Sequence, residues 1–165
     1  MPGTTTTEVT PSVSPPAHEE EAIWFLNALL TVKATGETTG GAFDMVEELI
    51  APGFAPPPHI HHREEECFYV LSGRMTFVCG DETIAAGPGT FVVLPRGVIH
   101  TFRVEGTEPA RTLMINTPAG LIGFFREMGE PAPARTLPPP GPPDLAKLRR
   151  VSEAYGCEVP GPAGH

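Results

Sequence analysis

The chain has 165 residues, of which 40% are hydrophobic and 19% charged, and its formal net charge is −9. This length suits one domain with a substantial core, and the negative charge argues against nucleic-acid binding and against binding to anionic membrane surfaces. No apolar run is long enough to span a bilayer, no secretory signal is recognisable, and three cysteines, an odd number, fit reduced thiols. We therefore expect a soluble cytoplasmic protein.

The first fifty residues predict a polar arm followed by strand-like segments. Residues 1–20 are rich in Thr, Pro, Ser and Glu, so they are predicted to be disordered. The apolar stretch 22–34 has a period that fits either a helix or a strand. Residues 36–41 are predicted to form a turn, and residues 42–50 alternate in polarity like a strand.

Short strands separated by turn signals fill the middle of the chain, a spacing typical of an all-β sandwich or barrel. They are predicted at residues 59–63, 66–71, 74–79, 82–85, 90–94, 99–104 and 111–116. If Ser72 and Gly73 formed a two-residue hairpin turn, Phe68 would pair directly with Phe77.

The C-terminal part changes in character. Residues 121–128 and 144–155 are predicted to be helices, and the seven prolines within residues 131–143 predict an extended linker between them. This tail is expected to pack on the barrel or on a partner subunit. The predicted organisation is a disordered arm (residues 1–20), a β-barrel (21–118) and a helical extension with a Pro-rich linker (119–165).

Histidines and a carboxylate in two segments suggest a metal site. His59 and His61 project from the same face of an extended strand, an acidic run follows at residues 64–66, and a second strand-like segment ends at His100. Three imidazoles and one carboxylate suit a divalent transition metal with room left for water or substrate.

The two segments resemble the two sequence motifs of the cupin superfamily. The first motif is matched at every fixed spacing by Gly53, His59, His61, Glu66 and Gly73. The second is matched by Gly89, Pro95, Gly97 and His100, whereas Val104 stands where the family has Asn. The flanking sequence is similar to single-domain, quercetin-dioxygenase-like cupins.

This resemblance implies a jelly-roll barrel of short antiparallel strands, strands rather than a helix at residues 22–34, and a metal held by His59, His61, Glu66 and His100. The metal could be Fe, Mn, Ni, Co, Cu or Zn, because this ligand set accepts any of them.

Neighbouring polar residues receive other interpretations. Glu64 and Glu65 are interpreted as a solvated charge run, because family spacing and strand parity select Glu66. His62 points opposite to His61 and is expected at the surface. Arg96 could hold a substrate anion or form a structural ion pair. Of the cysteines, Cys67 and Cys79 are expected to serve packing.

An apolar pocket is expected beside the metal, because strand parity places a set of apolar residues on the same face as Glu66 and His100. These predicted pocket residues are Phe68, Val70, Met75, Phe77, Phe102 and Val104. Such a pocket suits a flat organic substrate more than a sugar phosphate.

The sequence predicts a mononuclear metal-binding protein, with an enzyme acting on a small aromatic or enolisable compound as the leading hypothesis. The resemblance implies quercetinase-type dioxygenase chemistry, with Glu66 also able to take a substrate proton. The alternatives are a redox-silent zinc cyclase, isomerase or lyase, and a non-catalytic small-molecule binder. We expect a homodimer that binds neither nucleic acid nor membranes.

Overall fold

The computed structural model describes residues 11–161. Its regular elements, in chain order, are β1 (Ala22–Phe25), β2 (Ala28–Ala34), α1 (Gly36–Thr39), β3 (Asp44–Ile50), β4 (Ile60–His61), β5 (Glu65–Ser72), β6 (Arg74–Cys79), β7 (Glu82–Ala86), β8 (Phe91–Leu94), β9 (His100–Glu105), β10 (Ala110–Thr117), α2 (Ile122–Met128), β11 (Glu130–Pro131), α3 (Leu145–Ala154) and β12 (Cys157–Glu158).

The strands form a barrel of two sheets with one core between them. The larger sheet has the order β11-β1-β2-β3-β10-β5-β8, the smaller has the order β7-β6-β9, and β4 pairs with β12. A bridge between His59 and His100 links the approach to β4 with β9. Rings from the two sheets meet in the core, where Phe68 and Phe77 have centroids 5.1 Å apart. All strand pairs are antiparallel, so the predicted all-β jelly-roll barrel is confirmed.

The hairpin predicted at Ser72 and Gly73 is wrong. β5 pairs with β8 and β10 in the larger sheet, whereas β6 pairs with β7 and β9 in the smaller one. The chain changes sheets at Gly73, which has φ 84° and lies so close to β10 that a Cβ there would be 2.7 Å from the Cα of Ala110. Phe68 and Phe77 therefore face each other across the barrel instead of pairing side by side.

The first apolar stretch is a pair of strands, as the family resemblance implied. β1 and β2 are joined by a tight turn, in which Leu26 has φ 51°, and β2 continues the sheet into β3. The turn predicted at residues 36–41 instead contains the one-turn helix α1, which ends at Gly40 with φ 63°. Residues 22–34 form strands and not a helix because the strands complete the sheet and bury Ile23 and Leu30.

The inner face of β3 carries two buried carboxyl groups. Asp44, Val46, Glu48 and Ile50 are all buried, and the residues between them are partly exposed. The carboxylate of Asp44 accepts hydrogen bonds from the side chain of Asn116 and from backbone N–H groups just before α2. Asp44 therefore attaches the start of the C-terminal extension to the barrel.

The C-terminal extension packs on the barrel and shares its core. Its two helices lie where they were predicted, and Phe25 of β1 makes edge-to-face contacts with Phe124 and Phe125 of α2, at centroid distances of 5.5 and 5.1 Å. Asp144 caps α3 by accepting a hydrogen bond from the backbone N–H of Lys147. Between the helices, only β11 at the start of the Pro-rich segment joins a sheet.

The N-terminal arm was predicted to extend to residue 20, but Glu20 is buried. Its carboxylate accepts two hydrogen bonds from Lys33 at 2.7 and 2.8 Å, whereas residues 11–19 are exposed. The first part of that arm, residues 1–10, lies outside the described residues. Within residues 11–161, no helix is long and apolar enough to cross a membrane.

Candidate metal centre

Four side chains selected from the sequence converge at one end of the barrel. Their candidate ligand atoms, one each from His59, His61, Glu66 and His100, all lie within 4.8 Å of one another. His61, Glu66 and His100 are buried and His59 is partly exposed. We refer to these four residues as the His3Glu cluster.

Strand geometry brings the cluster together. His59 and His100 exchange backbone hydrogen bonds at 3.0 and 2.9 Å, which sets their rings side by side. His61 follows two residues after His59 and therefore projects to the same side. Glu66, on the inner face of β5, reaches the imidazoles from the larger sheet, with Oε2 3.2 Å from Nε2 of His100 and Oε1 3.5 Å from Nε2 of His61.

Hydrogen bonds donated by the outer nitrogens orient two of the three rings. His59 donates from Nδ1 to the carbonyl oxygen of Pro57 at 2.8 Å, and His100 donates from Nδ1 to that of Val98 at 2.9 Å. A carbonyl can only accept, so the proton of each neutral ring is on Nδ1 and the lone pair is on Nε2. The Nε2 of His61 is buried and has no hydrogen-bond partner among the described residues.

The charge of Glu66 dominates the electrostatics of the cluster. Burial alone would raise the pKa of the Glu66 carboxyl, but the charge of His61 and the contact with Nε2 of His100 hold it at about 2. Burial lowers the pKa of His61, but Glu66 and the contacts of Nδ1 outweigh it and raise the value to about 11. Burial, only partly opposed by Glu66, lowers the pKa of His59 to about 4. The carboxylate of Glu66 thus stabilises positive charge within the cluster.

These features fit a divalent transition metal. Three imidazole nitrogens and one carboxylate oxygen face one point, and the hydrogen bonds that the outer nitrogens donate to backbone carbonyl oxygens hold His59 and His100 in the tautomer that a metal requires. The unpaired Nε2 of His61 is the kind of buried polar atom that a bound ion would satisfy.

The prediction that Glu64 belongs to a solvated charge run is wrong. The residue is only 4% exposed, and Oε2 lies 3.8 Å from Nδ1 of His61 without a hydrogen-bond partner in residues 11–161. Strand parity did not apply because Glu64 precedes β5, in a stretch of irregular backbone that turns the side chain inward. Cys157 of β12 shares this location, with Sγ 3.0 Å from the same Nδ1.

The other polar neighbours lie at the surface. Glu65 forms an ion pair with Arg96 at 2.7 Å, which favours the structural interpretation of Arg96 over an anion-binding one. His62 is exposed, as predicted, and its Nε2 lies 2.9 Å from Glu158.

Neither Cys67, which is buried, nor Cys79, which is partly buried, forms a disulfide.

An apolar cavity opens beside the cluster, with about 700 Å³ of space not filled by atoms, solvent at its mouth included. Three cluster residues, His59, His61 and Glu66, line it together with aromatic side chains. Of the six predicted pocket residues, Phe68 and Phe102 lie on its wall. The other four, Val70, Met75, Phe77 and Val104, face inward as expected but are at most 1% exposed, because facing side chains fill the barrel core around them.

One wall of the cavity comes from segments that the sequence did not connect with the site. Phe124 and Phe125 of α2, Leu148 of α3 and Cys157 of β12 all line it. Glu48 of β3 also lines it, and burial raises the pKa of this carboxyl to about 8, against the effect of its hydrogen bond from Thr112. Alternation along a strand puts Glu48 on the same face as Val46, but it does not show that this face is the inner one.

Comparisons with known proteins agree with this geometry. The family model described as a cupin domain matches residues 46–116. Quercetin 2,3-dioxygenase of Bacillus subtilis is 27% identical over 107 residues, which span 65% of this chain but only 32% of that protein. This chain therefore spans about a third of the length of that relative.

Solved structures share the fold. KdgF from Halomonas sp. superposes with a TM-score of 0.59 and 20% identity, covering 67% of this chain and 96% of that one. A predicted oxalate decarboxylase from Thermotoga maritima gives a TM-score of 0.58 and 17% identity, covering 66% and 99%. With the matched family model, the jelly-roll barrel and both motifs in place, residues 46–116 of this chain form a cupin domain.

Proposed function

We propose that this protein is a mononuclear metal-dependent enzyme that acts on a small aromatic or enolisable compound, in the manner of quercetinase-type dioxygenases. The observation that carries the proposal is that the His3Glu cluster forms part of the wall of an apolar, aromatic-lined cavity. An organic ligand that entered this cavity would meet the metal ligands directly.

The residues of the chain have distinct roles in this proposal. His59, His61, Glu66 and His100 would hold the metal, which when bound supplies Lewis acidity toward an enol or enolate oxygen and a template for O2. Phe68, Phe102 and the aromatic side chains of α2 would position a flat ligand and exclude water. Glu66 would also be the acceptor of a substrate hydroxyl proton.

The similarity to the Bacillus subtilis dioxygenase supports this choice among cupin activities. The aligned region includes only part of that protein, and cupin folds host many chemistries. Quercetin is therefore the first compound to test, and its oxidation by this protein is a hypothesis.

The experiment is O2 uptake with quercetin after reconstitution with Fe, Mn, Ni, Co, Cu or Zn in turn. We expect one metal per chain and quercetin-dependent O2 uptake with a redox-active ion. His100→Ala should lose most of the metal, whereas His62→Ala, which changes the exposed histidine just after β4, should keep it. Full metal retention in both His59→Ala and His100→Ala would contradict the site.

Other outcomes would select another cupin activity. Stoichiometric zinc and turnover without O2 would favour a cyclase, isomerase or lyase, and tight ligand binding without turnover would favour a binding protein. Glu66→Gln adds a further test, because three histidines can still hold a divalent ion. We expect this variant to bind metal more weakly and to lose activity to a greater extent.

A further inference from the structure

Glu48 is a buried carboxyl group in the wall of the cavity, apart from the His3Glu cluster. It lies in the middle of β3, between Leu30 of β2 and Thr112 of β10, and is 5% exposed. Both of these strand neighbours are fully buried, and neither carries a charge. The carboxyl therefore faces the cavity from a mostly apolar part of the sheet.

The hydrogen bonding of Glu48 differs from that of Asp44, the other buried carboxyl group on the same strand face. Asp44 accepts three hydrogen bonds, from Asn116, Gly120 and Leu121, which account for both of its oxygens. Glu48 accepts one, from Thr112 Oγ1 to Oε2 at 2.8 Å. Within residues 11–161, no basic side chain forms an ion pair with it.

A buried carboxylate with one hydrogen bond and no counter-charge is costly, so the protonated form is favoured. The pKa of about 8 expresses this cost: burial is its largest cause, and the negative charge of Glu66 adds to it. A protonated carboxyl has an O–H group to donate. Thr112 already donates to Glu48, so the remaining hydrogen-bonding capacity of Glu48 is left for a ligand.

We propose that Glu48 contacts the substrate by donating a hydrogen bond to a carbonyl or hydroxyl oxygen at the end of the substrate remote from the metal cluster. This inference rests on the proposed function and narrows its substrate class. The ligand is an aromatic compound with two separate oxygen functions, of which one faces the cluster and the other, uncharged, faces Glu48.

The strand register gives the separation of the backbone positions of Glu66 and Glu48. Across the sheet, Glu66 pairs with Asn116, and Asn116 pairs with Asp44. Glu48 is four residues after Asp44 in β3, which places its backbone roughly 13 Å from the level of Glu66 along the strand direction. β3 is two strands away from β5, which adds roughly 10 Å across the sheet. Both side chains line the same cavity, so a ligand in it could contact the two carboxyl groups at once.

The test uses zinc-loaded protein, so that binding is measured without turnover, and two flavonols as probes. Quercetin carries hydroxyl groups on both outer rings, whereas 3-hydroxyflavone keeps only the hydroxyketone. Dissociation constants are measured at pH 7 by absorbance for the parent, Glu48→Gln and Glu48→Met, with zinc content and melting temperature determined for each. Gln keeps a donor at this position, and Met keeps the length without one.

We expect Glu48→Met to weaken quercetin binding about tenfold, equivalent to one lost hydrogen bond. The same variant should bind 3-hydroxyflavone within about threefold of the parent, and Glu48→Gln should bind both probes like the parent. If Glu48→Met does not fold, the ratio of parent to Glu48→Gln affinity for quercetin serves instead. That ratio should fall at alkaline pH, where only the parent loses its donor.

Three results would overturn the inference. The first is quercetin affinity that is unchanged in Glu48→Met, or a ratio of parent to Glu48→Gln affinity that does not change with pH. The others are equal losses of affinity for both flavonols in Glu48→Met, and no binding of either flavonol by the zinc-loaded parent. The zinc content separates these results from failure of the proposed function. Parent protein without stoichiometric zinc contradicts the metal site itself, whereas full zinc content with an unaffected Glu48→Met variant contradicts only the role of Glu48.

Discussion

The thiol of Cys157 lies 3.0 Å from Nδ1 of His61, so the C-terminal extension contacts a candidate metal ligand directly. With Nε2 of His61 free for a metal, Nδ1–H donates to the sulfur and fixes the ring. Cys157 is held in place by the pairing of β12 with β4, in which it is the register partner of His61 itself. The extension is thus part of the site as well as of the core.

We predict that Cys157→Ala weakens metal binding about tenfold, because partners of the outer nitrogen of a ligating histidine orient the ring. Competition with a chromophoric chelator measures the affinity. Cys67→Ala removes another buried thiol, one whose strand neighbours are Val93 and Ile115, and should leave the affinity unchanged. Equal affinities for parent and Cys157→Ala would show that the strand pairing alone positions His61.

The acidic run gives a second prediction, because its three members lie in different environments. Glu64→Gln should lower metal affinity, since the carboxyl is buried 3.8 Å from Nδ1 of His61. Glu65→Gln should change the affinity little, because its ion pair with Arg96 is exposed and solvent screens such pairs. The spectrum of cobalt-substituted protein reports both changes. A perturbed spectrum in Glu65→Gln with an unperturbed one in Glu64→Gln would contradict this assignment.

The residues that could be predicted from the sequence are those fixed by spacing along a strand. The separation of His59 and His61 and the parity of Glu66 with Phe68 are both local, and the structure has them as expected. Contacts made by distant parts of the chain were not predictable in this way. Cys157 is 96 residues from His61, and no periodicity links the two.

Two local interpretations failed for physical reasons that only the fold reveals. A Ser-Gly pair predicts a hairpin, but at Gly73 the chain crosses between sheets, and β10 is so close there that only a residue without a side chain fits. The alternation in residues 42–50 defines two faces without saying which is buried, and a face with Asp44 and Glu48 resembles a solvent face. The inner position of Glu48 depends on β10 and β2 lying on either side of β3.

We predict that the protein is a homodimer. Exposed apolar side chains cluster on the outer face of β5 and of the edge strand β8, where Phe91 is 55% and Val93 49% exposed beside Tyr69 and Leu71. An open edge with an apolar face is the kind of surface that a second copy can cover symmetrically. Light scattering at micromolar concentration should give the mass of two chains.

Phe91→Glu should lower that mass toward one chain, because it places a charge in the apolar face. Val78→Glu, at an exposed apolar position of β6 in the smaller sheet, is the matched control and should leave the mass unchanged. A parent protein that scatters as a single chain at the same concentration would contradict the dimer.

Glu48 gives a prediction for stability against pH in the metal-free protein. Its pKa is about 8 in the folded state, against an ordinary value of 4.5. Below pH 4.5 both the folded and the unfolded states hold the proton, so no penalty is present. Between pH 4.5 and 8 only the folded state holds it, and the free energy of unfolding falls as pH rises, by at most roughly 1.4 kcal/mol per pH unit. Above pH 8 both states are ionised and the full penalty remains.

The glutamine side chain of the Glu48→Gln variant does not titrate. The free energy of unfolding of this variant should therefore rise relative to that of the parent as the pH rises from 4.5 to 8. Urea unfolding of both proteins in the presence of a chelator measures the difference. Glu66, His59 and His61 titrate in both proteins, and their contributions largely cancel when the two curves are subtracted. A difference that stays constant across this range would mean that Glu48 is ionised in the folded protein, because only a carboxyl that keeps its proton on folding produces the slope.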